Sequence, residues 1–259
     1  MSELEAAFLG LVQGLTEFLP VSSSGHLVIA QSVLGVGEEG LLFEIVVHLA
    51  TLLSVVVFYW RRIFELVRGL LTGRREAFEY VAKLALATVP AVGAVLFFGD
   101  FLDAQFDTPA VAGVCLLVTG VLLWSTRYTA PQADLEAPGW GAALWIGCAQ
   151  ALAILPGISR SGSTVAMALA LRVKPTVAAE FSFLMSVIAI TGAAVRSFPE
   201  LSNVEADRVA PLLAGGLVAM GSGVGAIWLF VRLLRRQAFH QFAFYTWAAG
   251  LLFLGWLGL

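Results

Sequence analysis

Six long apolar runs constrain the fold of this chain more than any other feature of its sequence. An α-helix needs about 20 apolar residues to cross the roughly 30 Å hydrocarbon core of a bilayer. The runs near this length are 42–60, 80–98, 109–126, 178–195, 210–231 and 241–259. The chain is 59% hydrophobic and only 13% charged, whereas soluble domains are about 45–50% apolar and about 25% charged. We therefore predict an all-α polytopic membrane protein with six transmembrane helices.

Composition also excludes several classes of protein. A net charge of −3 implies no basic surface, so we expect no nucleic-acid partner. The high apolar content argues against a disordered chain. The two cysteines, Cys115 and Cys148, lie inside apolar runs and make no disulfide framework. Membrane lipid is the partner that this composition predicts.

Two further apolar segments are interrupted. Segment 5–36 is broken at 19–25, and segment 140–171 is broken at 155–162, in both cases by proline, glycine and serine. At about 1.5 Å of rise per residue, neither arm of either segment is long enough to cross a bilayer alone. Each segment is therefore either a re-entrant helix–turn–helix or one broken helix, and the placement of charge leads us to predict two re-entrant segments.

The placement of charge orients these segments. Linkers 61–79 and 232–240 are rich in arginine, whereas linker 99–108 carries acids and no basic residue. The positive-inside rule places the first two in the cytoplasm and the third outside. Following the spans from these points, segment 140–171 begins and ends in the cytoplasm, as a re-entrant segment must. The acidic linker 37–40 allows the first segment to open on the outer side, and the side of Met1 is left open.

The two broken segments match each other when the sequence is shifted so that Gly10 falls on Gly147. Each half would then contain one broken segment and three spans, and an odd number of spans inverts the second half. We predict a single membrane domain built from two inverted repeats, about 3–126 and 139–259, whose broken helices meet near the middle of the membrane. The same shift pairs Gln13 with Gln150, Ser22 with Ser159, Ser24 with Ser161, and Gly25 with Gly162.

Both breaks carry polar groups at membrane depth, where ionisable side chains are costly and usually mark function. If the breaks meet, one pocket would hold a carboxylate, an imidazole, a guanidinium and several hydroxyls, which is a set suited to phosphate. Simpler alternatives stay open: Arg160 could cap helix 140–155 or pair with Glu17, the serines could be helix caps, and His26 could be a packed histidine. The residues are Glu17, Ser22, Ser23, Ser24 and His26 in the first break, and Ser159, Arg160, Ser161, Ser163 and Thr164 in the second.

The spacing within the first break suggests an activated nucleophile. Ser23 and His26 are three residues apart and would share a helical face, and a serine beside a histidine is a common nucleophile–base pair. Glu17 could orient His26, act as acid or base, or hold a metal ion, and Gln13 shares its helical face. Glu17 is the one metal candidate, and Mg²⁺ or Ca²⁺ shared with a substrate phosphate stays open. We expect Arg160 to donate paired hydrogen bonds to phosphoryl oxygens.

Segments 13–26 and 156–164 together resemble the bacterial undecaprenyl-diphosphate phosphatase family, which is associated with bacitracin resistance. The resemblance covers essentially the whole chain in length, span number and repeat layout. It implies hydrolysis of a prenyl diphosphate lipid carrier to its monophosphate, which serves peptidoglycan synthesis. It also implies a multi-pass protein of the bacterial plasma membrane whose active site faces the outer side.

The resemblance further implies that Glu17, Ser23, His26 and Arg160 are catalytic, and it leaves open whether Ser23 or His26 attacks phosphorus. Metal requirement, prenyl chain length and a homo-oligomeric state are open as well. The alternative function is a lipid-phosphate transporter that uses the same pocket, which would have no need of a nucleophile and base. We expect substrate-binding roles for Gln13, Ser22, Ser24, Gly25, Ser159, Ser161, Gly162 and Thr164.

Overall fold

The computed structural model describes residues 1–34, 40–106, 108–196 and 208–259. Eleven α-helices account for most of these residues. In chain order they are α1 Glu3–Phe18, α2 Ser23–Leu34, α3 Gly40–Phe58, α4 Trp60–Leu71, α5 Arg75–Phe106, α6 Pro109–Thr129, α7 Trp140–Leu152, α8 Arg160–Ala170, α9 Pro175–Arg196, α10 Val209–Arg235 and α11 Phe242–Trp256.

A helix lies at each of the six predicted spans. Four helices, α5, α6, α9 and α10, are long and apolar enough to cross a membrane alone. Helix α3 meets that criterion together with α4, from which it is bent by 78°. Helix α11 has 15 residues, so the count of six stays a prediction. The outward surface is rich in large apolar side chains such as Phe97 and Leu252, and the chain is an all-α polytopic membrane protein.

Both predicted breaks are present, at 19–22 between α1 and α2 and at 153–159 between α7 and α8. The second break turns at Gly157, whose φ of +92° favours glycine. A Cβ atom at Gly157 would also lie 2.2 Å from the carbonyl oxygen of Ala112. Ser159 then caps α8, because its hydroxyl accepts a hydrogen bond of 3.1 Å from the backbone N–H of Gly162. Helix α8 therefore begins at Arg160, directly after this cap.

The two ends of the second broken segment lie at the same end of the helix bundle. Leu135 and Val173 form a backbone bridge, and the Arg172 guanidinium lies 2.6 Å from the Asp134 carboxylate. Lys174 pairs with Glu136 beside them. The chain thus enters α7 and leaves α8 on one side, which is the arrangement that a re-entrant segment requires.

Two glycines allow the broken helices to approach their neighbours closely. Helix α1 packs along α10, and α7 packs along α5. A Cβ atom at Gly10 would lie 2.2 Å from the carbonyl oxygen of Gly215, and one at Gly147 would lie 2.3 Å from that of Ala87. Small residues permit this backbone contact between membrane helices. The two glycines are equivalent positions in the predicted repeat, and the division into two repeats stays a prediction.

Most of the arginine-rich linker 61–79 is helical, because it contains α4. The inner face of α4 carries Leu66 and Gly69, and Arg62 donates a hydrogen bond of 2.9 Å to Glu180 on α9. A second, exposed face is apolar, and this combination is typical of a helix that lies in the membrane interface. The exposed apolar residues are Trp60, Phe64, Val67 and Leu71.

Candidate active site

The two breaks meet, as the sequence predicts, and a buried ion pair joins them. Arg160, the first residue of α8, pairs through Nη2 with Oε1 of Glu17 in the last turn of α1. The side chains are only 16% and 6% exposed. Ser161 Oγ adds a hydrogen bond of 3.3 Å to the carbonyl oxygen of Leu19. The pocket therefore draws its charged groups from both broken segments.

Glu17 is the centre of the polar contacts in this pocket. Ser23 Oγ donates a hydrogen bond of 2.7 Å to Glu17 Oε2. Gln13 Nε2 donates to the same oxygen at 3.1 Å, and His48 Nε2 lies 3.9 Å from it. Both carboxylate oxygens are thus engaged, and the hydroxyl of Ser23 has a carboxylate as its hydrogen-bond acceptor.

The expected pairing of Ser23 with His26 is wrong for this structure. His26 Nδ1 lies 2.8 Å from the carbonyl oxygen of Ser22, one helical turn earlier. Because a carbonyl oxygen can only accept, Nδ1 carries the proton. His26 Nε2 lies 2.7 Å from the hydroxyl of Tyr245, and the two rings are stacked with centroids 5.6 Å apart. Local helix geometry and this partner on α11 therefore hold the imidazole away from Ser23.

The other predicted binding residues divide into cavity-lining and supporting groups. Ser22, Ser24 and Ser159 line the cavity together with Ser23 and Arg160. The remaining residues contact the walls. Gly25 approaches Gly157, Gly162 approaches Pro20, Ser161 bonds Ser159, and Thr164 bonds the Arg160 carbonyl oxygen and Ser182.

The cavity itself has a volume of about 820 Å³ and two kinds of lining. One part is polar and is formed by the breaks, with Glu17, Ser23 and Arg160. The other part is apolar and is formed mainly by α5 and α9. Its members include Val92, Val95, Leu96, Ile154, Ile188 and Ile190. A ligand with a polar head and an apolar tail matches this division.

Arg160 keeps one donor free for such a ligand. Its Nη1 atom is buried and has no hydrogen-bond partner among the residues that the structure describes. Buried donors are nearly always paired in folded proteins, so an unpaired guanidinium nitrogen in a cavity indicates a place for an anionic group. The same guanidinium thus binds Glu17 through Nη2 and has Nη1 available.

Two residues of the site are not among the sequence-predicted ones. His48 lines the cavity beside Glu17. Thr119 on α6 holds the second break, because its hydroxyl donates to the Gly157 carbonyl oxygen at 2.9 Å and accepts from the Ser159 N–H at 3.0 Å. The only sequence signal for His48 is a histidine within a predicted span, and Thr119 carries no sequence signal.

Comparison with known proteins identifies the family. The family described as bacitracin resistance protein BacA matches residues 6–252. The chain is 39% identical over 267 residues to an undecaprenyl-diphosphatase of Desulfatibacillum aliphaticivorans, which covers 96% of this chain and 97% of the relative. It is 40% identical over 261 residues to an undecaprenyl-diphosphatase of Syntrophotalea carbinolica, which covers 98% of each chain. With a match over nearly its whole length, the chain belongs to the bacitracin resistance protein BacA family.

Proposed function

We propose that this chain hydrolyses undecaprenyl diphosphate to undecaprenyl phosphate and inorganic phosphate, and so recycles the lipid carrier for peptidoglycan synthesis. The observation that carries the proposal is the juxtaposition of Glu17, Ser23 and Arg160 at the polar part of a cavity whose other wall is apolar. Family membership and the names of the relatives support it.

The substrate fits the division of the cavity. The prenyl tail lies against the apolar residues of α5 and α9, and the diphosphate lies between the two breaks. Arg160 Nη1 and the serine hydroxyls donate to phosphoryl oxygens. Because these donors are fixed before the substrate arrives, they also stabilise the charge that develops during phosphoryl transfer.

The hydrogen bond from Ser23 to Glu17 supports a serine nucleophile with a carboxylate base. Ser23 Oγ attacks the terminal phosphorus, and its proton passes to Glu17 Oε2. The bond from that phosphorus to the bridging oxygen breaks, and undecaprenyl phosphate leaves. Glu17 gives this proton to the departing undecaprenyl phosphate and is again a carboxylate. Water then loses a proton to Glu17 as it attacks the phosphoserine, the bond from phosphorus to Ser23 Oγ breaks, and Glu17 returns the proton to Ser23 as inorganic phosphate is released.

A histidine nucleophile is the rival mechanism. It would require His26 Nε2, whose lone pair accepts from the Tyr245 hydroxyl, to leave that hydroxyl and face the phosphorus. With a histidine nucleophile, Ser23→Ala would retain near-normal turnover. With the serine nucleophile that we propose, the same variant should lose at least a hundredfold in kcat. In our proposal His26 positions the start of α2 by its bonds to Ser22 and Tyr245.

A divalent cation fits the donors beside Ser23. Glu17 supplies a carboxylate, and Gln13 Oε1 is a buried oxygen with no hydrogen-bond partner in the described chain. Mg²⁺ or Ca²⁺ held by these oxygens and the diphosphate would neutralise charge on the phosphate groups. We found no cluster of three or more His, Cys, Asp or Glu side chains within the described ranges, so the substrate would complete the coordination.

The proposed location is the bacterial plasma membrane, with the active site facing the outer side. The distribution of arginines between linkers supports this orientation. Cysteines introduced singly at Asp134 and Thr108 test it by labelling with a membrane-impermeant maleimide in intact cells. Labelling at Thr108 but not at Asp134 is expected, and the reverse pattern would contradict the orientation. A homo-oligomer and the lack of a nucleic-acid partner stay predictions.

Phosphate release tests the function directly. Purified protein would be assayed with undecaprenyl diphosphate beside Arg160→Ala and the matched control Arg68→Ala, which changes an exposed arginine on α4. We expect release by the wild type and the control, and loss of at least a hundredfold in Arg160→Ala. A chelator arm tests the cation. Absence of release from folded wild-type protein would refute the proposal and direct attention to lipid-phosphate transport, which a flipping assay in liposomes would measure.

A further inference from the structure

Gln150 is a buried side chain in the cavity with no partner for either end of its amide. It lies in the last turn of α7 and is only 3% exposed. Both Nε2 and Oε1 lack a hydrogen-bond partner in the part of the chain that the structure describes. An amide in this situation is unusual, because buried polar atoms in folded proteins are nearly always paired. A ligand that supplies both an acceptor and a donor would resolve it.

The position of Gln150 indicates which part of a ligand it would meet. Helix α7 packs along α5, whose cavity-lining residues pass from Thr88 to the apolar Val92 and Val95. Gly147, one turn before Gln150, lies against Ala87, which directly precedes Thr88, so Gln150 lines the cavity beside this part of α5. Thr88 donates its hydroxyl proton to the Leu84 carbonyl oxygen at 2.9 Å, whereas the Gln150 amide has no partner among the described residues. Gln150 is thus a polar group close to the start of the apolar lining proposed for the prenyl tail.

We propose that Gln150 forms a second phosphate subsite, which holds the phosphate group that stays on the lipid. This inference rests on the proposed phosphatase function and extends it. A prenyl diphosphate has two phosphate groups, and the tail is attached to only one of them. With the terminal phosphate between Ser23 and Arg160, the lipid-proximal phosphate lies nearer the apolar wall, where Gln150 Nε2 donates to it. Gln150 Oε1 accepts a hydrogen bond from water bound to that group.

A neutral amide suits this subsite better than a second cation would. The lipid-proximal phosphate remains on the product, which must leave the cavity after each turnover. A hydrogen bond from an uncharged donor holds this group in place during attack and adds no ion pair that would retain the product. The subsite therefore predicts that substrate and lipid product share one contact that inorganic phosphate does not make.

The test uses Gln150→Met, which keeps side-chain length and removes both amide groups. Gln132→Met makes the same change at an exposed position and is the matched control. For Gln150→Met we expect KM for undecaprenyl diphosphate and the inhibition constant of undecaprenyl phosphate to rise together by about 10- to 100-fold, which is the range for losing a hydrogen bond to a charged group. The inhibition constant of inorganic phosphate should stay within about twofold, and kcat should fall by less than about tenfold.

Three results for Gln150→Met would overturn the proposed subsite. These are an unchanged KM, a change in the inhibition constant of inorganic phosphate instead of that of undecaprenyl phosphate, and a decrease in kcat with no change in KM. Thermal unfolding separates binding from folding, because removing an unpaired buried amide should leave the ligand-free protein at least as stable as the wild type. If Gln150→Met is poorly folded, Gln150→Glu offers a second variant, and its negative charge should weaken binding of the lipid product further. Wild-type turnover is measured in the same experiment, so failure of the phosphatase function would be distinguished from failure of the subsite.

Discussion

Thr119→Val should destabilise the break that carries Arg160. The Thr119 hydroxyl bridges two backbone groups of the break: it donates to the Gly157 carbonyl oxygen at 2.9 Å and accepts from the Ser159 N–H at 3.0 Å. Thr119 is 1% exposed and Ser159 is 2% exposed. Valine has nearly the same shape but no hydroxyl, so both backbone groups would lose this partner without opening a cavity.

The expected cost follows from these two contacts. Leaving one buried donor or acceptor unpaired costs about 1–3 kcal/mol, so two such groups give about 2–4 kcal/mol after partial relaxation. Because Arg160 directly follows Ser159, displacement of the break should also lower kcat/KM for undecaprenyl diphosphate by more than about tenfold. Reversible unfolding in mixed detergent micelles measures the first effect, and phosphate release measures the second.

Two further variants make this prediction specific. Thr119→Ser keeps the hydroxyl and should stay within about 1 kcal/mol of the wild type. Thr108→Val removes a hydroxyl from an exposed position before α6, where it donates only a long, exposed hydrogen bond of 3.4 Å to the Ala104 carbonyl oxygen, and should have little effect. If Thr119→Val and Thr119→Ser unfold with the same free energy, the hydroxyl does not hold the break and our reasoning is incorrect.

Two other predictions concern helix packing and the histidine. Gly147→Leu should prevent α7 from packing on α5, because its Cβ atom alone would lie 2.3 Å from a backbone oxygen. The control Gly141→Leu, on the same helix, places its side chain in open space. The yield of monodisperse protein in size-exclusion chromatography measures the difference, and equal yields would refute the packing argument. Tyr245→Phe removes the hydroxyl bonded to His26 Nε2, and we expect kcat to fall by less than about tenfold; an increase in kcat would favour His26 as the nucleophile.

The breaks and their chemistry could be predicted from the sequence because both signals are local. Proline and glycine disrupt helices wherever they occur, and a charged group such as Glu17 or Arg160 within an apolar segment is conspicuous. The predicted inverted repeat makes the two broken segments equivalent, and this equivalence predicted that the breaks meet. Geometry then corrected the chemistry, since sequence spacing places Ser23 near His26 but cannot reveal that Tyr245, more than 200 residues away, binds the imidazole.

Other features depended on tertiary contacts that leave no local pattern. The arginines of α4 indicated a cytoplasmic linker, but their spacing also permits a helix with one apolar face. Thr119 lies in an apolar span, and only the fold shows that its hydroxyl reaches the backbone of another segment. His48 and Gln150 are single polar residues on helices, and whether such a residue faces a cavity or packs in the core is decided by its neighbours.

The central claim is that Ser23, activated by Glu17, attacks a phosphate bound by Arg160. The most direct measurement is a rapid acid quench of a single turnover with undecaprenyl diphosphate labelled in its terminal phosphate, followed by mapping of labelled peptides. Our account predicts an acid-stable phosphoserine at Ser23 that appears before free phosphate and is absent from Ser23→Ala. Acid-labile label on His26, or release of phosphate with no labelled protein at any time, would contradict it.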